Sequence, residues 1–219
     1  MGRRFAELAF TPLVKHHQQL HGSRHLYERV ERSNDLGVRL GPDEQAFITG
    51  LDGFYMATVS ETGWPYIQFR GGPKAFLHAL DPQTIAFADL RGNKQYISRG
   101  NLEHDNRVAL FLMDYPAQSR LKILGRAEIL EGTSEAEATL ETLLVPGEKT
   151  LAERAIIIHV EAFDWNCPQH ITPRYSQEEL SNILDPMRKR IDLLEAENKR
   201  LRGSPEPPAA TRHSSTPKS

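Results

Sequence analysis

Three short stretches of the chain gather side chains suited to holding an anion. In 66–70 the two-residue period of an extended backbone puts Tyr66, Gln68 and Arg70 on one face and Ile67 and Phe69 on the other. In 120–123 the same alternation sets Arg120 and Lys122 opposite Leu121 and Ile123. Between them, the loop Asp89-Leu90-Arg91-Gly92-Asn93-Lys94-Gln95 joins an expected strand to an expected helix start. Backbone N–H groups at a helix start, a lysine and side-chain amides together make a receptor for a phosphate, and Gly92 lets the backbone approach it closely. The loop has neither the GxxxxGK[ST] spacing that cradles a triphosphate nor the GxGxxG turn of dinucleotide folds, which favours a monophosphate. Each charged strand face taken alone also fits a solvated outer surface. Arg70, Lys94, Arg120 and Lys122 together, in a chain of net charge −2, favour a local anion site.

Other chemistry-bearing residues are less well placed. His17, His21 and His25 recur at helical spacing, but Gly22-Ser23 interrupts the helix and no acidic ligand or HExxH pattern completes a metal site. No metal is expected. Cys167 and His170 are separated by Pro168 and lack a third orienting group, so a cysteine nucleophile is not expected either. His159 interrupts an isoleucine run and reads as a hydrogen-bonded core or edge residue. Trp64 and Trp165 read as core aromatics or as the rim of a cofactor site. No general acid or base is identifiable, so the catalytic residues stay unassigned.

Positioning these groups falls to a run of strands. A helical lead-in is expected over 1–45, with Thr11 capping before Pro12 and Pro42 opening a further turn. From Phe54 the period changes to two, and strands are expected at 54–60, 66–70, 75–79, 84–88, 108–114 and 120–130, paired sequentially and antiparallel. Short helices are expected over 94–103 and from a Ser134/Glu137 capping box to Leu144. A last strand over 155–163, with Ile156-Ile157-Ile158, should be central and buried on both faces. Ser176 with Glu179 caps one helix, and Asp185-Pro186 reads as a fresh start leading to Leu201. There Met187, Ile191, Leu194, Asn198 and Leu201 alternate at spacings of four and three, a short coiled-coil seam or a face for packing on the barrel. The Pro-rich stretch 203–219 is expected to be disordered.

The order YIQFRGGPKAF, IAFADLRGNKQ, DNRVALFLMDYP, RLKILGRAEIL resembles the pyridoxamine 5'-phosphate oxidase-like flavoproteins over about 46–163. The resemblance implies a mainly β fold with flanking helices, a six-stranded antiparallel split β-barrel over 46–175 that binds FMN at a homodimer interface. A C-terminal helical segment, 176–202, would follow it. It implies that Gln68, Phe69 and Arg70 line the isoalloxazine, that Ala88 and Asp89 end a strand beneath the cofactor, and that Asn93 and Lys94, next to Gln95, bind its phosphate. Arg120 and Lys122 match polar positions of the strand before a turn at Gly125, and Trp165 and Arg174 match residues that approach the flavin. The chain has Asn93-Lys94 where the oxidases carry an Arg-Lys pair, and their arginine-histidine element for the vitamin substrate is not recognisable. The function implied is an FMN-dependent oxidoreductase acting on a small molecule or electron donor other than pyridoxamine phosphate. Its alternatives are a non-catalytic flavin-binding or sensing module, or a barrel that takes haem or a deazaflavin. A single cysteine, no basic excess and no apolar run of signal or membrane length point to a cytoplasmic protein without nucleic-acid or membrane partners.

Overall fold

The computed structural model describes residues 1–144, 152–165 and 169–203. Cys167 and the stretch 204–219 lie outside the described residues. The chain divides into two units, 1–173 and 174–219, taken separately below.

The first unit opens with helices α1 (Arg3–Ala9), α2 (Pro12–Leu20), α3 (Arg24–Glu31) and α4 (Pro42–Gly50). Thr11 accepts from the Val14 N–H with Pro12 at the first helical position, and the Glu44 carboxylate accepts from the Gly41 N–H at the start of α4. Strands β1 (Gly53–Val59), β2 (Pro65–Gly71), β3 (His78–Asp81) and β4 (Thr84–Leu90) follow. After α5 (Ile97–His104) come β5 (Arg107–Asp114), β6 (Ser119–Leu130), α6 (Ser134–Leu143) and β7 (Ala152–Trp165). No helix among the described residues is long and apolar enough to cross a membrane.

All seven strands join one antiparallel sheet in the order β2-β1-β5-β6-β7-β4-β3, with β2 and β3 as its open edges. The sheet therefore has seven strands where the family resemblance implied a six-stranded barrel, because the last strand expected at 155–163 joins the six expected between 54 and 130. Pairing is not sequential throughout, because β1 pairs with β5 and β4 with β7. The reason lies in β7, whose Ala155, Ile156, Ile157 and Ile158 are buried and demand a neighbour on each side. On one face the core is Phe54, Met56, Leu110, Leu112, Leu121, Ile123, Ile85, Phe87, Ile156 and Ile158. On the other face of β4 and β7, Ala86, Ala155 and Ile157 pack with Leu143 of α6. The sheet curls round its main core: Phe54 of β1 meets Phe87 of β4 edge-on, with ring centroids 5.3 Å apart.

Several local expectations shift. The strand expected at 75–79 starts at His78, and the helix expected from Lys94 starts at Ile97. Thr133, not Ser134, caps α6, accepting from the Ala136 N–H at 3.1 Å. The turn expected at Gly125 is instead a bulge inside an unbroken β6, where a Cβ on Gly125 would sit 2.6 Å from the His159 carbonyl oxygen. Trp64 is 76% exposed, so it is no core residue. His159 is exposed on β7, 3.3 Å from Glu128.

The second unit is described as a single helix, α7 (Gln177–Arg202), opened by the Ser176/Glu179 capping box. Pro186 lies inside it and starts no new helix, because the first helix does not end before it. No residue of α7 is buried.

Candidate functional site

The strand register sorts the charged residues onto two faces. Phe54, Met56 and Thr58 of β1 are buried, and their cross-strand partners on β2 are Arg70, Gln68 and Tyr66. Those three polar residues therefore share the core side of the sheet, while Ile67 and Phe69 point the other way and are 62% and 55% exposed. The alternation expected on β2 is present, with its polar face turned inward.

At the open end of the core face a cleft of about 240 Å³ is lined by Tyr66, Gln68, Arg70, Asp89 and the loop from Gly92 to Arg99, together with Glu153 and Arg154. Its floor is a chain of ion pairs. Arg70 donates to Asp89 at 2.6 Å, linking edge strand β2 to β4 across the curl. The other oxygen of Asp89 accepts from Arg154 of β7 at 3.0 Å. Arg154 also reaches Glu131 at 3.0 Å and Glu153 at 2.8 Å, and its guanidinium lies 5.4 Å from the centre of the Tyr96 ring. Glu131 closes the chain on Arg99 at 2.7 Å. The Arg99 guanidinium holds the Glu131 carboxyl below its ordinary range, partial burial opposes it, and Arg154 lowers it further. Arg99 in turn is raised, chiefly by the hydrogen bonds it donates to Glu131.

The wall of the cleft is built to receive negative charge. Four cations (Arg70, Lys94, Arg99 and Arg154) face two carboxylates, Asp89 and Glu153. Arg70 Nε is buried with no hydrogen-bond partner among the described residues, a donor whose desolvation is uncompensated within the chain. Lys94 and Tyr96 have φ of 61° and 55°, the left-handed region, which costs non-glycine residues of order 1–3 kcal/mol each and clusters at functional sites. Tyr96 is the N-cap of α5 and supplies no side-chain acceptor, so the first-turn N–H groups keep their hydrogen-bonding capacity. Asn93 Oδ1 accepts from the Gln95 N–H at 3.2 Å and shapes the loop. On β2, the Tyr66 hydroxyl donates to Gln68 Oε1 at 2.5 Å and sets the Gln68 amide.

Of the residues singled out in the sequence, the structure brings together Gln68, Arg70, Asp89, Asn93, Lys94 and Gln95. Ala88 is on the opposite side of β4 from Asp89, packed against the α6 cluster. Phe69 lies on the outer face, its ring 5.4 Å from that of Tyr55. Arg120 and Lys122 share that outer face: Lys122 pairs across the sheet with Phe111, and Phe111 with Tyr55. Lys122 bonds Asp164 at 2.9 Å and lies 5.1 Å from the Phe5 ring centre, while Arg120 sits 6.0 Å from that of Phe111. Trp165 stands at the far end of β7 from Arg154, donating to Glu44 at 2.6 Å and edging Phe47. Arg174 belongs to the second unit.

The sequence reading missed Tyr66's place in the cleft wall, and Ser98, Arg99, Glu153 and Arg154 altogether. Tyr66 was on the correct face of the alternation. Arg154 carried a signal too, as a charge two residues before the isoleucine run of an otherwise apolar strand. Among the described residues no group of three or more histidines, cysteines or carboxylates is placed to hold a metal.

Residues 40–160 match the family model of pyridoxamine 5'-phosphate oxidase, more than half of the chain. No curated protein matches it. Among solved structures the chain is similar to HupZ of Group A Streptococcus, at 19% identity over 62% of this chain and 99% of that one, with a TM-score of 0.48. It is also similar to a pyridoxinephosphate oxidase family protein of Clostridium acetobutylicum related to general stress protein 26, at 15% identity over 63% and 94% of the two chains and a TM-score of 0.44. A third likeness is to an FMN-binding protein of Syntrophomonas wolfei, at 14% identity over 68% and 97% and a TM-score of 0.42. The matched span contains the whole wall of the cleft, and the chain belongs to the pyridoxamine 5'-phosphate oxidase family.

Proposed function

We propose that the cleft holds FMN and that the protein is an FMN-dependent oxidoreductase, built as a split β-barrel that works as a homodimer. The observation that carries this is the donor set at the start of α5: Lys94 and Asn93, the uncapped first turn, and Arg70 with its buried unpartnered Nε all border one cleft. Family membership supplies the flavin as the ligand that suits it.

The residues present fit the phosphate end of FMN. Lys94 and Arg99 offer charge-assisted hydrogen bonds, and the α5 start adds backbone donors and the positive end of a helix dipole. Gln68 and Arg70, which line the same cleft, would offer the ring a hydrogen bond and a positive charge that favour its electron-rich states. The acidic partners Asp89 and Glu131 fix the guanidinium groups in place, so these donors are oriented before any ligand arrives. Bound there, the flavin supplies hydride or single-electron transfer, and the protein supplies position and electrostatics.

Two observations support a second copy. A cleft of about 240 Å³ falls below the roughly 300–1,000 Å³ of pockets for ligands of this size, so further wall is needed. The outer face of β1 and of the edge strand β2 exposes Tyr55 and Val59 on the first and Ile67 and Phe69 on the second, an apolar patch of the kind that marks an interface. Substrates other than pyridoxamine phosphate are proposed, because the residues that handle the vitamin are not recognisable.

The test is the absorption spectrum of the purified protein with mass analysis of the molecule released on denaturation. Flavin bands and released FMN are expected, followed by multiple turnovers with a nicotinamide reductant. A colourless protein that takes up no added FMN overturns the proposal. Haem or deazaflavin bands would replace the cofactor, and FMN without turnover would leave a flavin-binding module.

A further inference from the structure

The C-terminal helix carries an unpartnered seam. Because α7 runs without a break from Gln177 to Arg202, the alternation of four and three extends upstream of Met187 to Leu184 and Leu180. In heptad terms Leu184, Ile191 and Asn198 occupy a positions, and Leu180, Met187, Leu194 and Leu201 occupy d positions. All six apolar members are exposed, from Leu184 at 39% to Leu201 at 61%. Pro186 falls at a c position, so its ring lies off the seam formed by the a and d side chains.

We propose that α7 pairs with α7 of a second copy of this chain as a parallel, in-register two-stranded coiled coil. The flanking charges select the partner. The g positions after Pro186 are Arg190 and Glu197, and the e positions that meet them in a parallel dimer, five residues on in the other chain, are Glu195 and Arg202. Both pairs are of opposite sign, so each copy complements an identical one. Asn198 selects the orientation. In a parallel pair it faces the Asn198 of the second copy, and the two amides bond to one another; in an antiparallel pair an a position faces a d position, all of which are apolar here, and its amide is left without a polar partner. A parallel pair has a twofold axis along its length, the symmetry of a homodimer. The inference does not rest on the flavin reading, since it uses only residues of α7.

The full-length protein tests it. In a Cys167→Ser background, Asn198→Cys (at the seam) and Ala196→Cys (at the opposite f position) are each equilibrated in a thiol–disulfide buffer. The coil predicts an intermolecular disulfide for N198C and its loss for A196C. Arg190→Glu should abolish the N198C disulfide by opposing Glu195, and adding Glu195→Arg should restore it. Equal cross-linking at 196 and 198 would overturn the proposal, since a dimer held only through the barrels brings both positions together without register. A disulfide that forms only between N198C chains and Leu180→Cys or Met187→Cys chains would overturn the parallel arrangement. FMN content, read on the same samples, reports separately on the cleft.

Discussion

The two faces of the sheet use the same residue types to opposite ends. On the inner face, Arg70, Arg154 and Arg99 are strung between Asp89 and Glu131, and one donor, Arg70 Nε, is left over. On the outer face, the charge of Lys122 is taken up by Asp164, and its ammonium group lies 5.1 Å from the ring centre of Phe5, which joins α1 to the sheet. The first arrangement orders cations toward an opening, and the second closes a joint. The difference teaches that a strand cation is assigned by the carboxylate and the aromatic ring it meets, information that two-residue alternation does not carry.

The largest break in this comparison is expected from Asp89→Ala. It strips two largely buried guanidinium groups of their shared carboxylate, and denaturant unfolding should show a loss of about 3–5 kcal/mol. Flavin affinity should fall with it as Arg70 loses its anchor. Asp164→Ala should cost less, about 1–3 kcal/mol, because Lys122 is 30% exposed and water can replace its partner. That variant should keep its flavin.

Lys94→Ala sharpens the contrast at the level of binding. A lost charged hydrogen bond of about 1.5–3 kcal/mol corresponds to a Kd for FMN raised about tenfold to a hundredfold, measurable by flavin fluorescence titration. Lys122→Ala, removing a cation of the outer face, should leave that Kd unchanged. Equal weakening by both would mean that the two faces act on one ligand.

The smallest effect expected is on pH dependence. Arg99 holds Glu131 below its ordinary range in the folded chain. This contribution is present above the unfolded glutamate pKa of about 4.3 and is lost as pH falls through the lower folded value. Melting temperature should drop on acidification below that point, and Glu131→Gln should flatten this part of the profile. Asp105, held at about 2 mainly by its side-chain bonds from Arg107, behaves in the same sense outside the cleft and continues the loss at lower pH. An acid profile unchanged by Glu131→Gln would assign the whole effect to such surface pairs.

Much of the scaffold was legible before any coordinates. Thr11-Pro12, Pro42 and the Ser176/Glu179 box are local signals, settled within one helical turn, and the structure keeps them. The apolar run Ile156-Ile157-Ile158 specified a strand covered on both faces because no exposed strand tolerates it. The cap of α6 moved by one residue to Thr133, since either hydroxyl satisfies the same pattern. Of the cleft, the loop through Asn93 and Lys94 could be read because phosphate-receiving chemistry is concentrated there within a few residues.

What the chain alone determined was therefore of short range: most element types and their periods, the loop chemistry at 89–95 and the family pattern over 40–160. Tertiary structure decided which strands are neighbours, that the polar face of β2 turns inward, and that Asp89, 19 residues from Arg70 and 65 from Arg154, joins them both. The physical reason is that alternation gives each strand two faces without naming the inner one. Only the curl of the sheet, driven by burial of Phe54 against Phe87, brings β2 over β4 and turns separated charges into one cleft.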